Sequence, residues 1–332
     1  MNKQITTEEF AEKVNAFRIS RVILTAYELK IFSVISERKK TAAEVAQIIN
    51  ADVRATDRLM NALVSIKLLD KSEGLFSNTE FSLKYLVEGK NTYMSGLMHN
   101  VNLWNNWSTM TEAVKKGTTV TMKKPVNERE SEWLESFIAA MHSRGKKQAS
   151  DTVKLINLSN VNKILDIGGG SGLYSFALVD NKPALKATVF DLPNVIPITQ
   201  RYIRQEGYKD SVNTVKGDFL KDDFGCGYDL VFLSAIIHMN TPEQNKLLIG
   251  KSFKALNLKG QLVISDYIMS EDRTQPTTGA LFALNMLVGT SAGDTYTEYE
   301  VNNWLRSAGF TNITKIDTEY NTGLVIGIKY KD

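Results

Sequence analysis

The chain has 332 residues, 43% of them hydrophobic, with 40 basic against 37 acidic side chains and a net charge of +3. That length allows two domains that each bury a core, and so small a net charge makes neither nucleic acid nor an anionic membrane an expected partner. The first ten residues lack an apolar leader core, no run approaches the roughly 20 apolar residues that span a bilayer, and the single cysteine, Cys226, excludes an internal disulfide or a cysteine-cluster metal site. The expectation is a metal-independent protein of the reducing cytoplasm.

Residues 10 to 38 carry apolar positions at helical spacing, from Phe10, Val14 and Phe17 to Phe32 and Ile35, on more than one side. Such helices suit partial burial against another subunit. Thr41-Ala42-Ala43-Glu44 has the form of a capping box and opens a helix over 43–49. A second helix is predicted over 54–66, with Leu59, Leu63 and Ile66 on one face, followed by a hairpin over 68–77. Together they make a winged helix-turn-helix. A DNA-reading version needs a basic footprint, and Arg54, Arg58 and Lys67 are a thin one, so the unit reads as a scaffold that reuses the shape.

Residues 93–114 read as helical and rich in aromatic and thioether side chains, Trp104 and Trp107 among them; 117–130 reads as a polar connection and 131–156 as a further helix. Aromatic residues at this spacing usually fill a core, although Trp104 also suits the wall of a pocket for a planar ligand. The expected domains are a helical unit over 1–100 and a second unit over 101–332 that begins with a helical linker over 101–157.

From 162 onward strands and helices alternate. Strands are predicted over 163–167, 187–190, 212–215, 230–234 and 262–265, which implies a parallel sheet with helices on both faces. The last two, over 312–316 and 324–328, read as an antiparallel hairpin at one edge. In such α/β folds ligands bind at the carboxyl ends of the strands.

The first strand, Lys163-Ile164-Leu165-Asp166-Ile167, runs into Gly168-Gly169-Gly170-Ser171-Gly172 and then into a helix. Glycines permit φ > 0 and let a ligand approach the backbone, while the helix N-terminus offers unpaired N–H groups. A dinucleotide fingerprint would need a glycine three residues after Gly170, where Leu173 stands, so the spacing is G-x-G-x-G. Asp191 ends the next strand and Asp218 follows the third. A carboxylate at Asp191 suits two ribose hydroxyls and one at Asp218 suits an adenine amino group. A loop without lysine or arginine is poorly equipped for a triphosphate. The ligand that fits is a nucleoside with a positive or zwitterionic tail.

Asp-x-Gly-Gly-Gly-x-Gly at 166–172, Asp191-Leu192-Pro193 and Gly217-Asp218-Phe219 resemble the S-adenosylmethionine site of the small-molecule O-methyltransferase family that includes plant caffeate and bacterial hydroxyneurosporene and polyketide enzymes. The resemblance covers nearly the whole chain. It implies a Rossmann-like methyltransferase fold, with a mostly parallel seven-stranded sheet and a C-terminal antiparallel hairpin, behind a winged-helix dimerisation domain. It also implies a homodimer and S-adenosylhomocysteine as product. The cofactor site it implies comprises Asp166, Gly168, Gly170, Gly172, Asp191, Leu192, Asp218, Phe219 and Ser234.

Among three histidines, His238 follows the fourth strand, beside the proposed cofactor site. With an ordinary pKa of about 6.5 an imidazole there can take the proton of an attacking hydroxyl. The resemblance places the family's base at His238 and its flanking acids at Asp266 and Glu298. It likens Met141, Asn285 and Met286 to acceptor-pocket residues. The family often has His-Asp-Trp where this chain has His238-Met239-Asn240, so an acid beside the base is missing. The expected activity is methyl transfer to a hydroxyl of a small aromatic acceptor. The competing readings are a relative that uses the cofactor for decarboxylation or hydroxylation, and a winged-helix regulator that binds DNA.

Overall fold

A computed structural model describes residues 4–121 and 131–331. The chain divides into two compact units, Met1–Trp104 and Asn105–Asp332.

The first unit begins with α1 (Thr7–Asn15), α2 (Phe17–Glu28) and α3 (Ile31–Ile35), then α4 (Ala42–Ile49) and α5 (Val53–Ser65), the hairpin β1 (Leu69–Ser72) and β2 (Leu75–Asn78), and α6 (Glu80–Tyr85). Capping is local and strong. Thr41 and Glu44 close the expected box at α4, and the Asp52 side chain accepts the Ala55 N–H at α5. The wing turns at Glu73 and Gly74, both at positive φ (51° and 77°), as a two-residue hairpin turn with right-handed strand twist demands. Ile31, Phe32, Ile35, Met60, Leu63, Leu69 and Phe76 form the core. The inward face of α5 is therefore centred on Met60 and Leu63, with Leu59 and Ile66 at its margins. No residue of α1 is buried, and Phe10, Val14, Phe17 and Ile19 are all exposed.

The helical stretch over 93–114 is two helices, α7 (Leu97–Trp107) and α8 (Met110–Lys116). At the break, Ser108 and Thr109 turn their hydroxyls onto the carbonyls of Asn105 and Asn106, both at 2.7 Å, and so compete with the helical ladder. Most of the polar connection expected over 117–130 lies outside the described residues. The long helix α9 (Ser131–Val153) follows.

The second unit then winds through β3 (Lys163–Ile167), α10 (Leu173–Asn181), β4 (Lys186–Asp191), α11 (Ile196–Glu206), β5 (Val212–Lys216), β6 (Tyr228–Ser234), α12 (Pro242–Ala255) and β7 (Leu256–Asp266). It ends with β8 (Ile268–Met269), α13 (Thr277–Gly289), β9 (Tyr296–Thr297), α14 (Glu298–Ala308), β10 (Thr311–Asp317) and β11 (Gly323–Ile328). Seven strands form one sheet in the order β10-β11-β7-β6-β3-β4-β5, with only β10 and β11 antiparallel to their neighbours. Alternation sends Leu165, Val231, Leu233 and Ile264 to one apolar cluster and Ile164, Leu230, Phe232 and Val263 to the other. Both faces of the parallel strands are thus covered, as their near-continuous apolar runs require. The chain leaves β3 toward β4 and β5, then returns to β6 on its other side. The switch point lies between the carboxyl ends of β3 and β6. No helix among the described residues is long and apolar enough to cross a membrane.

Candidate active site

Two segments meet that switch point, the glycine loop after β3 and the turn after β6. In the loop Gly168, Gly170 and Gly172 all have positive φ, at 67°, 58° and 84°. A Cβ at Gly168 would lie 2.3 Å from Ile236 Cδ1, whereas one at Gly170 would meet nothing within 4 Å and stand in open space. The Gly170 N–H donates to Asp191 Oδ2 at 2.8 Å, and its carbonyl accepts from Thr199 Oγ1 at 2.5 Å. The loop is a backbone cradle fixed from its sides and bare on its open face.

Asp191 also accepts the Leu192 N–H, at 2.7 Å. Burial pushes its carboxyl up to about 6 against the pull of those two N–H donors. Leu192 and Phe137 of α9 pack against one apolar cluster that includes Leu134 and Val195, and Phe219 packs against the cluster on one face of the sheet. Asp218 follows β5 and takes the Leu220 N–H and Lys221. Partial burial raises its pKa, but those donors and the nearby lysine charges outweigh it and hold the group below the usual carboxylate range. Ser234 ends β6 opposite Ser265.

Asp166 departs from its expected place. It is 1% exposed and accepts a hydrogen bond at 2.8 Å from Ser175 of α10. A Cβ on Gly169 would sit 2.6 Å from its Oδ2. The carboxyl therefore braces the loop from beneath, on the α10 side of the sheet. Burial, with the Asp191 charge assisting, pushes it up to about 7.

His238 sits in a single 3-10 turn, Ile237–Met239, directly after β6. Its Nδ1 lies 2.8 Å from Asp266 Oδ1 and 3.0 Å from Oδ2. An ionised carboxylate only accepts, so Nδ1 carries the proton and Nε2 the lone pair. Asp266 is buried and further held by the Tyr267 N–H at 2.8 Å. The Phe282 ring meets the imidazole edge-on at 4.8 Å, and Tyr267 leans on Phe282 at 4.7 Å. Neither aromatic residue was singled out from the sequence. Phe282 lies three residues before Asn285 in α13, a spacing that puts the two on one helix face and carries the only signal for it.

Asn285 Oδ1 accepts from Trp107 Nε1 at 2.9 Å. Trp107, not Trp104, is thus the indole joined to this wall. Trp104 belongs to the first unit, where it packs with Leu24, Tyr27 and Val101 beneath the Arg21 guanidinium. Met286 is buried in α13, and Met141 is an exposed residue of α9.

Glu298 is held at a helix start. It is the first residue of α14 and lies 3.7 Å from Lys315 Nζ, where an acid favours a helix N-terminus. The segment that abuts the histidine is Gly293-Asp294. The Asp294 N–H donates to the His238 carbonyl at 2.9 Å, and a Cβ on Gly293 would come within 2.6 Å of that oxygen. The Asp294 carboxylate lies 3.5 Å from Arg273. Where the family's motif has an acid and a tryptophan, Asn240 is buried, donates to Asn245 Oδ1 at 3.1 Å and accepts from the Tyr296 hydroxyl. Asn245 in turn donates to the Ile237 carbonyl at 2.9 Å. A neutral network holds the turn in place of a charge.

An O-methyltransferase domain model matches residues 107–311, and an O-methyltransferase dimerisation domain model matches residues 11–88. The chain is 30% identical over 320 residues to 3-hydroxy-5-methyl-1-naphthoate 3-O-methyltransferase of Streptomyces sahachiroi, covering 93% of this chain and 92% of that protein. It is 29% identical to acetylserotonin O-methyltransferase of Gallus gallus, over 90% of each. Among solved structures, human N-acetylserotonin methyltransferase in complex with SAM aligns over the whole of both chains, with a TM-score of 0.83 and 24% identity. PigF with SAH aligns with a TM-score of 0.88 and 23% identity, over 98% of this chain and 100% of that one. These two share the fold.

Proposed function

The chain belongs to the O-methyltransferase family, whose members use S-adenosylmethionine, and from that premise we propose that His238 is the general base that takes the hydroxyl proton of a small aromatic acceptor. The observation that carries this reading is the bidentate approach of Asp266 to Nδ1, which leaves Nε2 as the basic nitrogen at the switch point. Asp266 keeps the ring in that tautomer and offsets the charge of the imidazolium once Nε2 has taken the proton. Proton removal of this kind contributes about 10²–10⁴-fold to rate.

The donor set fits the cofactor. The open face over Gly170 admits a ligand that a Cβ would displace, and in this reading Asp191 takes ribose hydroxyls and Asp218 an adenine amino group. When bound, S-adenosylmethionine supplies an electrophilic methyl carbon on a sulfonium that leaves readily. The chain's own task is to hold the acceptor oxygen in line and exclude water. Phe282, Tyr267 and the Trp107–Asn285 pair offer flat apolar walls with one amide, which suits a planar hydroxylated ring. The naphthoate and acetylserotonin named for the relatives are acceptors of that shape.

The same reading assigns residues 1–100 to homodimerisation and 101–332, with a helical linker over 101–157, to catalysis. The exposed apolar side chains of α1 and α2 support the dimer. An exposed, unpaired Cys226 suits a reducing cytoplasm.

The test is a panel of phenolic and naphtholic acceptors incubated with methyl-labelled cofactor, scored by S-adenosylhomocysteine release and product mass. The expected product gains one methyl group. His238→Ala should bind S-adenosylhomocysteine as the wild type does and lose about 10²–10⁴-fold in kcat. A wild-type rate from that variant would remove the base assignment, and a product without added methyl would overturn the reaction.

A further inference from the structure

A second histidine reaches the cofactor loop from outside the reaction centre. His142 lies on α9 and is buried, with Nδ1 2.9 Å from the Ser171 hydroxyl. Its Nε2 lies 3.4 Å from Glu206 Oε1, and its ring stacks on Tyr202 at 4.3 Å. The helix is brought close by a glycine. A Cβ at Gly145 would come within 2.7 Å of Leu173 Cδ2, so α9 seats against the first residue of α10.

Packing alone does not call for a histidine here, since an apolar side chain would stack on Tyr202 as well and leave no buried nitrogen to satisfy. What the imidazole adds is a hold on Ser171. That residue lies between Gly170 and Gly172, both in the left-handed region, where the backbone has its widest freedom and where the open face of the cradle lies. Asp191 and Thr199 fix Gly170 on one side. On the other, the only hydrogen bond to the Ser171 side chain among the described residues is the one to His142. Nε2 lies 3.4 Å from Glu206 Oε1 without forming a hydrogen bond, and a neutral imidazole can meet the Ser171 hydroxyl at Nδ1 as acceptor or as donor. Burial, aided by the Lys146 charge and opposed by Glu206, holds the ring below its usual pKa and favours this neutral form.

We propose that His142 is a positioning residue for the methyl donor: through Ser171 it fixes the backbone path of residues 170–172 and thereby sets cofactor affinity without entering the chemical step. This rests on reading 168–172 as the cofactor cradle. It assigns to the linker helix a part in cofactor binding that the glycine motif alone does not contain.

The test is calorimetry of the full-length protein with S-adenosylhomocysteine, alongside steady-state kinetics and melting. His142→Ala should weaken S-adenosylhomocysteine about tenfold, the scale of one lost hydrogen bond to a preorganised loop, and raise the cofactor KM to match, while kcat at saturation stays within about twofold. Ser171→Ala should reproduce the loss, and the double variant should be no worse than either single one. His142→Asn sets an amide near the Nδ1 position and should recover most of the affinity. His142→Gln sets one near Nε2 and should not. An unchanged affinity in Ser171→Ala, or in a folded His142→Ala whose melting point alone has dropped, overturns the proposal. So do additive losses in the double variant or equal rescue by Gln and Asn. Failure of the wild type to bind S-adenosylhomocysteine would instead refute the cradle itself.

Discussion

The proposed cofactor half and the proposed acceptor half of the site are built on opposite plans. In the cofactor half the decisive bond, Gly170 N–H to Asp191, spans 21 residues and lies within one strand-helix-strand unit. In the acceptor half, Trp107 and Asn285 are 178 residues apart, and His238 depends on an acid from the next strand, 28 residues on. The first is made by backbone, whose demands fix residue type: only glycine combines positive φ with a bare face. The second is made by side chains from α7, α13 and the ends of β6 and β7, where many residues meet the same demand. Cofactor binding in such a design resists change, and acceptor choice is free to vary.

The sharpest way to break this comparison is at Gly170. Valine there would force a β-branched residue to φ 58° and put its Cβ into the open face. We expect S-adenosylhomocysteine affinity to fall by more than about 100-fold, since a backbone cradle has no side chain that can move aside. The folded state should remain at a backbone-strain cost of about 1–3 kcal/mol, as that Cβ meets no protein atom within 4 Å. Tight binding by Gly170→Val in calorimetry would show that the open face is not where the ligand lies.

A smaller effect separates bracing from binding within the cofactor half. Asp166 has its carboxyl pushed up to about 7 in the folded chain, from 3.8. The folded state thus holds a proton that the unfolded state has released. Its contribution to stability is fully present below the unfolded value, is lost as pH rises toward 7, and changes no further above that. Asp166→Asn keeps an acceptor for Ser175 but carries no charge. It should match the wild type near pH 4 and exceed it by about 4 kcal/mol at pH 8, because each tenfold difference in proton affinity between the folded and unfolded chain is worth about 1.4 kcal/mol. Parallel stability curves for the two proteins across that range would mean that the buried carboxyl is not desolvated as the structure has it.

Much of this was legible in the sequence, and unevenly so. The strands were readable because the central parallel ones, β3, β4, β6 and β7, are largely apolar on both faces, so each announces itself as a short run; β7 was foreshortened because Asn257, Lys259 and Gly260 interrupt its start. The positions of the loop, Asp191 and His238 at strand ends were readable. What escaped was whatever depended on helix rotation: Trp107 against Trp104 differs by three residues, and Phe282 lies one turn from the Asn285 that was named. The break between α7 and α8 escaped for a related reason, since Ser108 and Thr109 end a helix only when their hydroxyls turn inward.

Glu298 is the finest test of the acceptor half, because the resemblance gives it the base and the structure gives it Lys315 as a partner. Its motif, an acid beside an aromatic just after a threonine, serves a base-flanking acid and a helix start equally well. The fold decides between them: Thr297 caps α14 with Glu300, which commits the next residue to the first turn, facing Lys315. An exposed pair at a helix N-terminus is worth about 0–1 kcal/mol. Glu298→Gln should therefore lower stability by no more than that and leave kcat within about twofold. A loss near that of His238→Ala would return Glu298 to the base. A near-neutral result would leave Asp266 as the acid on which the imidazole depends, and Gly293-Asp294 as the segment that closes against it.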